Sequence, residues 1–233
     1  MLLIRASVAR QEVSGASGRT RLAGGEGYAA PVSSLSLRLV DRTACSPASY
    51  RVRERAPGEV DLVVLHQTAT PPGVAESALD RTKAHALVLD SGSVLQLHGW
   101  LERLRFGSGP WNSRCVTIEH RANLPGRYHL GSPRWAGKVA REEWSAEGRR
   151  AQVLGARALL ARLREELPAL RFVGAHRQVD APRKGGCPGP DLWREVGEWA
   201  VRELGLEVVA TAPTGADLPP DWRRAPTILG EPG

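Results

Sequence analysis

The chain has 233 residues, 42% of them hydrophobic, with 32 Lys and Arg against 25 Asp and Glu for a formal net charge of +7, so one substantial core and an anionic partner or surface are expected. The basic residues are scattered arginines with no interleaved aromatic stripe, which gives nucleic-acid binding no support beyond the charge. Three widely spaced cysteines, Cys45, Cys115 and Cys187, form no disulfide framework, and neither Met1–Ile4, broken by Arg5, nor any other run has the length of a secretory signal or membrane span. We therefore expect a cytoplasmic monomer without a membrane span.

In chain order, residues 1–35 are rich in Gly, Ser, Ala and Arg without a sustained period and read as a flexible extension. A single domain is expected over 36–208. In it the stretch Val60–Leu65, apolar except for Asp61 and following the turn Pro57-Gly58, reads as a buried central strand with His66 at its carboxyl end. A helix is expected from Val74 to Lys83. Ala84–Leu89 and Val94–Leu97, on either side of the turn Asp90-Ser91-Gly92-Ser93, read as a hairpin, and Cys115–Glu119 as a further strand.

Ser145 can cap a long helix to Leu167, in which Val153, Ala156, Leu160, Leu163 and Leu167 share one face, and Pro168 closes it. Leu170–Val173 reads as a short strand delivering His176, and Asp191–Leu204 as a last amphipathic helix. From 209 to 233 the prolines are too frequent for regular structure, and a disordered tail is expected. The mixture of strands and helices predicts an α/β fold, a central mixed sheet flanked by helices.

His66, His176 and Cys187 offer two imidazoles and one thiolate from separate parts of the chain. Three such ligands suit a catalytic zinc site whose fourth position is left to water, and point to metal-assisted hydrolysis. Taken singly, His66 reads equally as a hydrogen-bonded strand-end histidine and Cys187 as a small buried apolar residue. A closed structural zinc site in a nucleic-acid-binding protein would need four ligands, commonly in C-x-x-C pairs, and no such pair occurs. Trp100, Phe106, Trp111, Tyr128 and Trp135, set among Gly, Pro and Arg, read either as a groove for sugar rings and peptide carboxylates or as loop anchors.

Four segments carry a resemblance. His66-Gln67-Thr68-Ala69-Thr70, Ala84–Gly92, Trp111–Glu119 and His176–Pro190 occur in the order found in zinc N-acetylmuramoyl-L-alanine amidases, the family of T7-type phage lysozymes, cytosolic muropeptide amidases and peptidoglycan recognition proteins. The resemblance covers roughly residues 58–204 and implies a single domain of the amidase and peptidoglycan-recognition type. It makes His66, His176 and Cys187 the zinc ligands, Glu119 the general base and Lys184 the stabiliser of the oxyanion, with Trp111 and Asn112 read as substrate-facing and His85 read either as substrate-facing or equally as a core histidine. Its implied substrate is peptidoglycan or a soluble muropeptide, so lysis and recycling both stay open.

The chain departs from the family in two places. Lys184 is followed by both Gly185 and Gly186 before Cys187, one residue more than is usual there, which bears on where the ammonium reaches. Many relatives carry a tyrosine where this chain has Ala84, which shifts the handling of water onto Glu119. The rival implied by the same resemblance is a non-catalytic recognition module; such modules tend to lose the cysteine ligand, and Cys187 is present.

Overall fold

The computed structural model describes residues 35–68, 74–121 and 146–224. The extension expected over 1–35, except its last residue, the cap Ser145, the aromatics Tyr128 and Trp135, His129, and residues 225–233 lie outside the described residues.

Nine strands are described: β1 (Leu39–Asp41), β2 (Arg51–Glu54), β3 (Leu62–Gln67), β4 (Ala86–Val88), β5 (Val94–Gln96), β6 (Glu102–Leu104), β7 (Cys115–His120), β8 (Phe172–Ala175) and β9 (Glu207–Val208). Seven form one sheet in the order β1-β5-β4-β7-β3-β8-β9, while β2 and β6 pair antiparallel as a separate ribbon. Within the large sheet only the β4–β5 hairpin is antiparallel; β3 runs parallel to both β7 and β8. The sheet is thus mixed, as the sequence predicts.

β3 is buried at every position, which is why its first four residues, Leu62–Leu65, are an unbroken apolar run rather than an alternation. One face of the sheet, carrying Val63, Leu65, Val116, Ile118 and Val173, packs against helix α2 (Ala146–Glu166) and helix α5 (Trp199–Leu204). Val153, Ala156, Leu160, Leu163 and Leu167 all face this core, so the three-and-four spacing read from the sequence is the buried stripe. Leu159, Leu160 and Leu163 are fully buried, and each such burial contributes roughly 1.5–3 kcal/mol. α2 crosses the β4–β5 turn at close range: a Cβ on Gly155 would stand 2.1 Å from the Gly92 carbonyl oxygen.

The other face carries Leu62, Val64 and Cys115, and is covered by Trp111, Val179, Val209 and Ala212. Towards β4 and β5 it is covered by Leu79 of the short helix α1 (Glu76–Leu79). Alternation puts His66 and Glu119 on this same face, at the carboxyl ends of their strands, the edge where open α/β sheets build their sites.

Four expectations are corrected. α1 ends at Leu79 rather than at Lys83, because the chain must straighten for His85 N to donate to Thr117 O at 3.0 Å beside β7. The strand expected over Leu170–Val173 starts two residues later, since Leu170 N closes the turn after α2 on Leu167 O. The last helix is α4 (Pro190–Leu192), a π-helical stretch Trp193–Glu198 and then α5; within the stretch Glu195 O is taken by Arg157 Nε at 2.8 Å, a side chain reaching into the helical ladder.

The fourth concerns the tail. Residues 209–224 hold almost no regular structure, as their prolines dictate, yet they are packed: Trp222 is fully buried and Val209 N donates to Val173 O. A buried tryptophan and backbone pairing to β8 outweigh the loss of helix or strand. This segment belongs to the folded unit.

Candidate active site

Three segments converge at the carboxyl edge of β3, β7 and β8. His66 ends β3, His176 follows β8 directly in a 3-10 turn (His176–Gln178), and Cys187 comes from the loop after helix α3 (Ala181–Lys184). The turn is fixed by Gln178, whose Oε1 accepts from Ala175 N at 2.9 Å while its Nε2 donates to Val209 O at 2.8 Å. The loop is stapled to it, because Arg177 N donates to Cys187 O at 3.0 Å and the Arg177 guanidinium to Gly185 O. Cys187 Sγ in turn accepts the Gln67 N–H at 3.4 Å.

The result is a cluster in which the donor atoms of His66, His176 and Cys187 all lie within 4.8 Å of one another, every one of the residues buried. The two imidazole rings are 4.0 Å apart between centroids. Burial, with the charges of His176 and Lys184, holds His66 well below the ordinary histidine value; burial, Lys184 and Arg183 lower His176 to about 3. Both rings are therefore neutral, the form that binds metal. Burial and the nearby Glu119 carboxylate push the Cys187 thiol up, so a thiolate there requires a cation at its side. Two neutral imidazoles and a thiol awaiting a cation fit a zinc ion.

Glu119 stands beside the cluster, its Oε1 3.8 Å from His66 Nδ1. Burial raises its carboxyl to about 7 against the opposing pull of Lys184, and its Oε2 is enclosed without a hydrogen-bond partner. A carboxyl that titrates near neutrality can both take and return a proton. Glu119 and His176 open onto a cleft of about 720 Å³ whose walls include Lys83, Arg105, Phe106 and Lys184.

Residues 56–190, more than half of the chain, match the sequence profile described as N-acetylmuramoyl-L-alanine amidase, and they include the whole convergent cluster. The chain belongs to this family. The solved structures similar to this amidase-family chain include the amidase LysC from Clostridium intestinale URNW, at 14% identity over 74% of this chain and 100% of that one, TM-score 0.47. Bumblebee PGRP-SA is similar at 18% identity over 76% of this chain and 100% of its own, TM-score 0.49. The Ph2119 endolysin from the Thermus scotoductus MAT2119 bacteriophage Ph2119 is similar at 19% identity over 71% of this chain and 99% of its own, TM-score 0.44. No curated protein matches the chain.

Among the residues singled out from the sequence, Lys184 reaches the amidase-family site despite the additional glycine. Cys187 N donates to Lys184 O at 2.9 Å, closing Lys184-Gly185-Gly186-Cys187 into a turn that absorbs the inserted residue. The half-buried Lys184 charge is felt by His66, His176, Glu119 and Cys187 alike. Gly189, at φ 97°, then turns the chain into α4, a conformation that strains any other residue.

For two residues the structure selects the core over the cleft. His85 is 1% exposed, with Nδ1 accepting from Thr117 N at 3.0 Å and Nε2–H donating to Glu102 O at 2.7 Å, so both ring nitrogens serve the sheet and its neighbouring ribbon. Trp111 packs into the core beside Leu62 and Val64 and anchors its loop there. Among the described aromatics of this segment Phe106 is exposed, and it lines the cleft. Asn112 borders the cleft, but its Oδ1 accepts from Ser108 N at 2.7 Å and its Nδ2 donates to Arg105 O at 3.2 Å, so it shapes the loop. His120, the neighbour of Glu119 in the chain, is enclosed and donates Nδ1–H to His66 O at 2.8 Å.

Sequence reasoning missed Ser108 and Thr117. Ser108 Oγ lies 3.2 Å from His66 Nε2 and 3.2 Å from Thr117 Oγ1, contacts spanning 42 and nine residues respectively. No local pattern signals them; a hydroxyl beside a buried imidazole becomes visible only once the strands are paired.

Proposed function

We propose that the chain is a zinc-dependent N-acetylmuramoyl-L-alanine amidase, hydrolysing the amide between the lactyl group of N-acetylmuramic acid and the L-alanine of the peptidoglycan stem. The observation that carries the reading is the convergence of His66, His176 and Cys187 with a carboxyl raised to about 7 at their side. Zinc bound by these three residues would supply Lewis acidity and lower the pKa of a water molecule.

Glu119 accepts the proton of the attacking water and delivers it to the departing amine, a shuttle suited to its raised pKa. Lys184 holds a compact positive charge on the cleft wall where the carbonyl oxygen gains negative charge. Lys83 and Arg105, exposed further along the cleft, suit carboxylates of a stem peptide, and Phe106 offers a face for an apolar or sugar surface. The retained Cys187 supports catalysis over recognition alone, since burying a thiol next to two imidazoles and a carboxyl serves no purpose in a binding groove.

The test joins metal content with product analysis. Protein grown with zinc should hold about one zinc per chain, and its digestion of sacculi or soluble muropeptide should release new L-alanine amino termini without new reducing sugar ends. Cys187→Ser should lose both zinc and hydrolysis. Zinc-free protein, or reducing ends in place of amines, would overturn the assignment.

A further inference from the structure

Resting on the zinc reading above, we propose that Ser108, backed by Thr117, is the positioning residue that selects Nδ1 of His66 as the metal-facing nitrogen and holds the ring to that task. His66 is 1% exposed and cannot turn to water, so its tautomer is decided by its neighbours. Its Nε2 meets Ser108 Oγ at 3.2 Å, while the nearest charged oxygen to Nδ1, Glu119 Oε1, stands at 3.8 Å, beyond hydrogen-bond reach. Nδ1 is the nitrogen left for a metal.

The hydroxyls form a line. Ser108 Oγ is 3.2 Å from Thr117 Oγ1, which is 3.7 Å from Cys115 Sγ, and the serine is itself fully buried. Each hydroxyl accepts one hydrogen bond and donates one, so the line runs in a single sense at a time. With the proton on Nε2 it runs from His66 to Ser108, to Thr117, to the Cys115 sulfur. In the opposite sense Ser108 donates to Nε2, and the imidazole proton moves to Nδ1, where it blocks coordination. Both senses use the same heavy-atom positions, so the sense that runs from His66 to the sulfur frees Nδ1 for a metal without any side chain having to move.

The loop is built to hold this serine in place. Asn112 Oδ1 accepts from Ser108 N at 2.7 Å, and Trp111 N donates to Ser108 O at 3.0 Å, while Trp111 is rooted in the core. The preceding Gly107, at φ 115°, lies so near β7 that a Cβ there would meet Thr117 Oγ1 at 3.0 Å. Ser108 therefore presents its hydroxyl from a fixed mount, as outer partners of metal-binding histidines do.

Two measurements test this. Long-range proton–nitrogen correlation on the zinc-loaded, nitrogen-15-labelled protein should find His66 protonated at Nε2; protonation at Nδ1 overturns the proposal. Ser108→Ala should raise the zinc dissociation constant, read by chelator competition, by a factor on the order of 10–100 while keeping the circular dichroism of the parent. Equal zinc affinity in Ser108→Ala and wild type overturns the role of Ser108 and leaves the zinc reading standing. A wild-type protein that takes up no zinc overturns both.

Discussion

His66 and Glu119 are register partners across the parallel pair β3–β7, and His66 Nδ1 lies 3.8 Å from Glu119 Oε1. The separation of the proposed ligand and the proposed base is thus set by the spacing of adjacent strands, about 4.8 Å, and not by a loop. Both residues occupy the last turns of strands buried on both faces, where neither backbone can shift without breaking the sheet. A proton acceptor that must meet a water beside the metal gains from this rigidity.

Glu119→Gln should therefore retain zinc and substrate binding while lowering kcat by a factor on the order of 100 to 10,000. Steady-state hydrolysis measured beside the zinc content of the same preparation checks it. Normal turnover in a zinc-loaded variant would move the proton transfer to another group, and the enclosed His85 and His120, 1% and 0% exposed, are poor substitutes.

The turn closed by Cys187 N on Lys184 O bears on the role proposed for Lys184. Lys184→Ala should reduce kcat by roughly 100- to 1,000-fold, the scale of one lost oxyanion donor, with a smaller change in KM. Deleting Gly186 offers the complementary reading: shortening the turn pulls against the bond from Cys187 N to Lys184 O, and zinc affinity should fall together with kcat. A Lys184→Ala enzyme with wild-type kcat would show that the ammonium does not meet the transition state.

How much of this was legible in the sequence depends on how local the signal was. β3 declares itself because burial on both faces leaves an apolar run, β7 because Val116 and Ile118 alternate with Thr117 and Glu119, and α2 because its stripe repeats every three or four residues. His66, His176 and Cys187 were found through their residue types and flanking motifs, although 121 residues separate the first from the last. For His85 and Trp111 the sequence left cleft and core both open for a physical reason: whether a histidine or a tryptophan faces a cleft or the core is decided by distant partners. For His85 these are Thr117 and Glu102, and for Trp111 they are Leu62 and Val64. The same holds for Trp222, whose burial gives structure to a segment whose prolines predict none.

The cationic wall of the cleft leads to a prediction about substrate. Lys83 stands 4.2 Å from the centroid of the exposed Phe106 ring, and Arg105 is exposed beside it. Lys83→Gln combined with Arg105→Gln should raise KM for a stem peptide with free carboxylates by about tenfold, with kcat little changed, and should matter less for a substrate whose carboxylates are amidated. An equal effect on both substrates would mean that the two cations do not read carboxylates.

The last prediction concerns acid stability, through a histidine outside the His66, His176 and Cys187 cluster. Burial, opposed by the bond to Glu102 O and reinforced by Arg55, lowers His85 from 6.5 to about 3. The unfolded chain therefore binds a proton at this position between about pH 6.5 and 3 that the folded chain refuses, so stability is fully present above 6.5 and falls as the pH drops through that window. In His85→Gln the amide keeps hydrogen-bonding capacity but has nothing to titrate. It should cost stability at neutral pH, where the imidazole fits its two partners, and should lose less on acidification than the wild type does. Denaturant midpoints for both proteins at pH 7 and pH 5, taken with chelator present so that zinc release does not enter, decide the matter. Parallel losses in the two proteins would assign the acid sensitivity to the other buried histidines, of which His120, lowered to about 4 by burial, is the nearest in kind.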